Sequence, residues 1–328
     1  MNNIQRKNKN FIALQAFFTG LILVLILCSV FVMQGFNNSE AVQTEESYHY
    51  AVAAVKIPDK LEFAGEEVPL DNFDTRESLD RELLVNTYFH SQTFLLIKKS
   101  TRFFPVIEPI LRKNGIPDDF KYLSVIESNL DNLVSPRQAV GFWQLLEGTA
   151  KDYGLEVNKE VDERYHLEKS TEVACMYLLD SYRKYNNWIM AAASYNAGRN
   201  GMDRQIERQN GNNYFDLLLN EETARYIFRI LSIKMIISDP EKYGFHLEKE
   251  DYYPVIPLYE VKVDTAISDF NRFAQGYGIN YKILKYFNPW LRETYLSNLS
   301  GKTYVIKIPE TGSRSYRSLS NKSSLENE

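Results

Sequence analysis

Two cysteines, Cys28 and Cys175, are all that 328 residues contain. No disulfide framework can hold the chain, and cysteine usage leaves its redox compartment open. Cys175 lies in an apolar helical stretch, Glu172 to Leu178, where it serves as a small hydrophobe. Histidine is scarce too: His49, His90, His166 and His246 are scattered without metal-ligand spacing. The chain has no His-Glu-x-x-His, no phosphate-binding glycine loop and no Gly-x-Ser-x-Gly. The expected chemistry therefore uses no cofactor. Charge is nearly balanced, at -5 net, which argues against a nucleic-acid binder.

One long apolar run is present. Arg6, Lys7 and Lys9 precede it, and no charged side chain occurs from Ala16 to Met33, a length that can span a bilayer as a helix. Glu40, Glu45 and Glu46 follow, with no Lys or Arg until Lys56. The positive-inside rule then puts the N-terminus in the cytoplasm and the bulk of the chain outside. A cleaved signal peptide and a lipidated Cys28 are the rival readings. Residues 37–75 are polar and acidic and read as a tether.

Helical patterning begins near Arg76. Leu79, Leu83, Leu84, Tyr88 and Phe89 give one amphipathic pattern, and Phe103, Phe104, Ile107, Ile110 and Leu111 a second, which Asn114-Gly115 stops. Pro117, Asp118 and Asp119 suit the start of the next helix. Phe120, Leu123, Ile126 and Leu130 mark its apolar face, and Glu127 projects from that same face. A carboxyl among apolar side chains loses solvation and its pKa rises, as a general acid near neutral pH requires. A half-exposed glutamate, or a core glutamate paired with arginine, is the plainer alternative. Further helices are expected at about Lys169–Tyr185, Trp188–Asn196 and Thr223–Ile237. No strand signal appears between 76 and 238, so this is an all-α domain. After Pro240, Tyr259–Val263 and Tyr304–Ile308 alternate like strands and flank two short helical patterns.

Four pieces occur in order: Glu127-Ser128, Gly141-Phe142-Trp143-Gln144, Ser194-Tyr195-Asn196-Ala197-Gly198 and Glu222-Thr223-Ala224-Arg225-Tyr226. With Asp162-Glu163-Arg164 and Glu168-Lys169-Ser170 between them, they resemble the lysozyme-like domain of the lytic transglycosylases over roughly residues 95–235. The resemblance implies that Glu127 is the single catalytic acid, protonating the bond between N-acetylmuramic acid and N-acetylglucosamine and then acting as base toward the C6 hydroxyl. It implies substrate-binding roles for Ser128, Gln144, Tyr195, Asn196 and Tyr226. Glu147, in place of a common proline, suits the first turn of a helix. Facing the cleft, it would make a hydrolytic mechanism conceivable. Asp264-Thr265, Tyr277-Gly278-Ile279, Asn288-Pro289 and Ile306-Lys307-Ile308-Pro309 make the C-terminal unit resemble a diverged LysM, a peptidoglycan-binding fold.

The expected architecture is mainly α. Residues 1–36 form a membrane anchor or signal segment, 37–75 a tether and 76–240 a lysozyme-like catalytic domain. An α+β LysM-like module spans 255–310, and 311–328 is a disordered tail. The expected function is a lytic transglycosylase of the cell envelope, anchored in the membrane and facing the periplasm, with peptidoglycan glycan strands as its partner. A hydrolytic muramidase and a non-catalytic glycan-binding scaffold are the rivals.

Overall fold

A computed structural model describes residues 53–316, Leu319 and, near the N-terminus, Thr19, Gly20, Ile22, Val24 and Ser29. Most of the expected anchor over 1–36 and most of the expected tail over 311–328 lie outside the described residues. No helix among the described residues is long and apolar enough to cross a membrane.

The ordered unit begins earlier than the sequence pattern suggests. Residues 62–67 form a hairpin, β1 (Glu62–Phe63) and β2 (Glu66–Glu67), in antiparallel register. Ala64 and Gly65 both take positive φ at its turn, 54° and 78°, the two-residue geometry that matches strand twist. Phe63, Val68 and Leu70 are buried in the core of the helical domain, and Phe63 packs edge-on against Phe120. The second half of the expected tether is thus part of the domain. Its few apolar residues are diluted by charge, so composition hid it.

Eight helices follow: α1 (Phe73–Tyr88), α2 (His90–Lys113), α3 (Lys121–Ser128), α4 (Glu147–Asp152), α5 (Leu167–Tyr185), α6 (Trp188–Ala197), α7 (Arg199–Gln209) and α8 (Glu221–Ser238). Helix α8 packs against α1, α3 and α6, while α5 lies between α2 and α6. Local chemistry sets their ends. Asn187 caps α6 by accepting from the Met190 amide at 2.7 Å, and Asn220 caps α8 by accepting from Thr223 at 3.0 Å. Helix α7 was not anticipated, because only Met202 along it is buried.

The C-terminal module is β3 (Leu258–Val263), α9 (Phe270–Gly276), α10 (Tyr281–Phe287) and β4 (Tyr304–Pro309), with β3 and β4 antiparallel. Strand, two helices and strand is the expected order. The module is not separate, however. Val140, Val161 and Tyr165 of the helical domain are buried in one cluster with Phe270, Trp290 and Ile306 of the module.

Phe63→Ala should cost about 3–5 kcal/mol, the usual range for emptying a core phenylalanine site. Urea denaturation of the full chain checks this, and a loss below about 1 kcal/mol would return residues 54–72 to the status of a tether.

Candidate active site

The acid helix α3 ends abruptly. Asn129 and Leu130 both adopt left-handed φ, 55° and 54°, a conformation costly for leucine. Leu130 is fully buried, and that burial offsets the strain. The turn fixes the last residues of α3, among them Glu127 and Ser128. Glu127 keeps partial exposure as a residue, while the surrounding protein removes most of the solvation of its carboxyl. Burial pushes its pKa from an ordinary 4.5 to about 7, opposed by a hydrogen bond from Tyr226 and by the positive field of Arg229, and helped by Glu222. The Tyr226 hydroxyl donates to Glu127 Oε1. Burial holds the Tyr226 phenol well above its usual value, so it stays a neutral donor.

Arg229 was not singled out from the sequence. It lies one turn after Tyr226 on α8 and donates through Nη2 to the Ile126 carbonyl at 3.3 Å. Spacing of three from Tyr226 was the available signal. A cleft of about 770 Å³ opens here, walled by Asn86, Phe89 and Gln92 on one side and Glu222, Arg225 and Arg229 on the other.

The loop from Ser135 to Leu146 crosses beside α3 without regular helix or strand, so its own amides pair only some of its carbonyls and side chains meet others. Five of them are met by side chains. Gln144 Nε2 donates to Gly141 O at 2.9 Å, Ser128 Oγ to Phe142 O at 2.9 Å, Tyr195 hydroxyl to Trp143 O at 2.7 Å, and Arg164 Nη1 to Gln138 O at 3.1 Å and to Leu145 O at 3.4 Å. Trp143 is fully buried and donates to Thr171 Oγ1 at 2.8 Å.

The six expected site residues therefore divide. Glu127 and Tyr226 are joined directly. Tyr195 binds the loop rather than the acid, although burial first and then the nearby Glu127 charge raise its phenol. Gln144 spends its amide protons on Leu133 O and Gly141 O, which turns its amide oxygen into the atom able to take a substrate donor. Asn196 bridges Glu222 Oε1 and the Thr223 hydroxyl, at 3.1 and 2.8 Å. Ser128 is buried between Ser124 O and Phe142 O and fastens α3 to the loop. Glu147 sits exposed in the first turn of α4, paired with Lys151 at 2.6 Å, and that pairing lowers its carboxyl. No group of three or more His, Cys, Asp and Glu that could hold a metal occurs among the described residues.

Residues 105–217 match the Transglycosylase SLT domain, and residues 259–312 match the Soluble lytic transglycosylase C-terminal LysM-like domain. The chain thus carries an SLT domain followed by a LysM-like domain, in a mainly α fold. Glu127, Gln144, Tyr195 and Asn196 fall inside the first match, and Tyr226 lies beyond it. Over 257 residues the chain is 25% identical to proteins named membrane-bound lytic murein transglycosylase D from Escherichia coli K12 and Escherichia coli O6:H1. The alignment covers 76% of this chain and 55% of each relative, so the chain spans about half the length of the curated relatives it matches.

The raised carboxyl has a consequence for stability. Between pH 4.5 and about 7 the folded protein keeps a proton on Glu127 that the unfolded chain has released. The contribution to stability is full below 4.5 and is lost as pH rises through about 7, by about 3 kcal/mol. Glu127→Gln removes this dependence. The stability of the variant relative to wild type should rise by up to about 3 kcal/mol between about pH 4 and about pH 8, read from denaturant melts. A difference independent of pH would show that the carboxyl is not held protonated.

Proposed function

We propose that this chain is a lytic transglycosylase acting on peptidoglycan. It cleaves the β-1,4 bond between N-acetylmuramic acid and N-acetylglucosamine without water and leaves 1,6-anhydro ends. The observation that carries the reading is one carboxyl poised near neutrality. Glu127 is raised to about 7 by burial and is gripped by a neutral phenol. In the protonated form it donates to the glycosidic oxygen. The resulting carboxylate is stabilised by the Tyr226 hydrogen bond and the Arg229 charge, and it then takes the C6 hydroxyl proton as that oxygen closes on C1. One proton enters the leaving group and one returns to Glu127, so the enzyme ends as it began.

A hydrolytic glycosidase ordinarily needs a second carboxylate as nucleophile or base. Glu222 is held by Asn196, and Glu147 is an exposed ion-pair partner of Lys151. Neither arrangement suits that task, which favours the non-hydrolytic route. A glycan-binding scaffold would have no use for a desolvated acid. Gln144 is assigned to substrate binding through its amide oxygen, and Tyr195, Asn196 and Ser128 to shaping the cleft.

We place the enzyme in the cell envelope with its SLT domain on the periplasmic side, anchored by residues 1–36. The basic cluster before an uncharged run supports this, as does the membrane-bound description of its relatives.

Activity should fall as pH rises through about 7, because the acid must carry its proton. Glu127→Gln should lower turnover on purified peptidoglycan by about 10²–10⁴ or more, with mass spectrometry showing anhydro ends from the wild type alone. Reducing ends instead would establish the muramidase. Tyr226→Phe removes the bond that lowers the Glu127 pKa, so the alkaline limb should move upward. A limb that stays in place would detach Tyr226 from the acid.

A further inference from the structure

The turn at residues 160–164 touches two things at once. On one side it receives the LysM-like module through backbone bonds: Asp162 N donates to Trp290 O at 2.9 Å and Arg292 N to Glu160 O at 2.7 Å. Val161 pairs with Leu291 as an antiparallel bridge. The Glu160 carboxylate accepts from Ser297 N at 2.7 Å and from Ser297 Oγ at 2.8 Å. On the other side the turn holds the loop that carries Gly141–Gln144. Arg164 is buried and forked on Asp162, with Nε to Oδ1 at 2.9 Å and Nη2 to Oδ2 at 2.7 Å. Its remaining edge does not enter the core. Nη1 donates to Gln138 O at 3.1 Å and to Leu145 O at 3.4 Å, the two feet of the loop.

A second observation shows how closely loop and turn meet. Gly141 has φ +83°, and a Cβ added there would lie 2.2 Å from the Arg164 carbonyl oxygen. The loop lies on the backbone of the turn with no room for a side chain. Val140, at the near end of the same loop, packs into the module's own cluster.

We propose that Arg164 is a positioning residue for the loop that carries Gln144, and that docking of the LysM-like module sets the reaction rate through it by fixing the turn. The proposal rests on the lytic transglycosylase reading. The guanidinium suits this task because its planar fork can satisfy a carboxylate and a separate pair of acceptors together. An ammonium in its place keeps the charge and loses one edge. The loop in turn binds Ser128, the last residue of the acid helix, and Tyr195, so a shift of its feet reaches the reacting geometry.

The test uses the full chain. Arg164→Lys should lower kcat per folded molecule on purified peptidoglycan by about 10²-fold, the scale of an ångström's misplacement, with KM within about threefold. Glu160→Ala, which loosens only the docking, should lower kcat by about tenfold in the same pattern. In both variants the amides of Gly141, Gln144 and Leu145 should exchange hydrogen faster, while those in the middle of α8 stay as in wild type. Were Arg164→Lys to remain unfolded, Glu160→Ala would carry the test alone. Unchanged kcat per folded molecule, or a loss confined to KM, would overturn the proposal, and an effect of Arg164→Lys alone would overturn the module's part in it. Should the wild type show no turnover, the functional reading fails and amide exchange decides: faster loop exchange in both variants sustains the positioning role, and unchanged exchange ends it.

Discussion

The hydrogen bond from Tyr226 to Glu127 makes sense only in a site kept partly dry. In water a phenol would gain little from a carboxylate and the acid would titrate near its ordinary value. Packing α3 against α8 removes that water and brings together residues 99 apart in the chain. Two opposing effects then set the acid. Desolvation drives it neutral, and the phenol with Arg229 draws it back. The outcome near 7 is a balance, and a balance of this kind needs rigid walls, since loosening either helix would readmit water and restore an ordinary carboxyl.

Rigidity in turn has to be supplied to a stretch that has no secondary structure of its own. The loop from 135 to 146 pairs only some of its carbonyls with its own amides, and each one buried unpaired would cost about 1–3 kcal/mol. Side chains from α3, α6, the 162–164 turn and the loop itself supply the donors. This explains why Tyr195 and Ser128 act on backbone oxygens instead of standing open to solvent. Both residues fasten the loop to the helices beside it.

What could be read from the sequence follows the same division. Helical periodicity is visible when a whole face is buried, as in α5 and α8, and it vanishes when one residue is, as in α7. Glu127 stood out because a charged residue interrupted an apolar face, a contrast confined to one helix. The hairpin at 62–67 left no pattern, because it joins the domain through one phenylalanine packed on Phe120 and through polar bonds, such as those the Glu66 carboxylate accepts from Trp188 N and Ile189 N. Ser128 is expected to bind substrate, and its bond to Phe142 O has no trace in the sequence, because a backbone atom carries no sequence signature. Leu130 belongs to the apolar set as expected, though by a left-handed turn and not by helical spacing. The docking of the module was hidden for the same reason as Ser128. Its register is set by bonds between main chains.

That docking changes what the C-terminal module can be. Interfaces between domains of one chain usually permit relative motion, and a glycan reader could hang on a free linker. Here two backbone bonds, a shared cluster through Val140, Val161 and Tyr165, and ion pairs of Lys302 with Glu156 and Lys307 with Glu168 fix the module. Backbone bonds do not tolerate sliding, because a shift of one residue exchanges every donor for an acceptor or turns it away. The module therefore has one seat on the SLT domain. Anything its surface binds is held at a set distance and angle from Glu127, and anything that unseats it disturbs the turn beneath the loop.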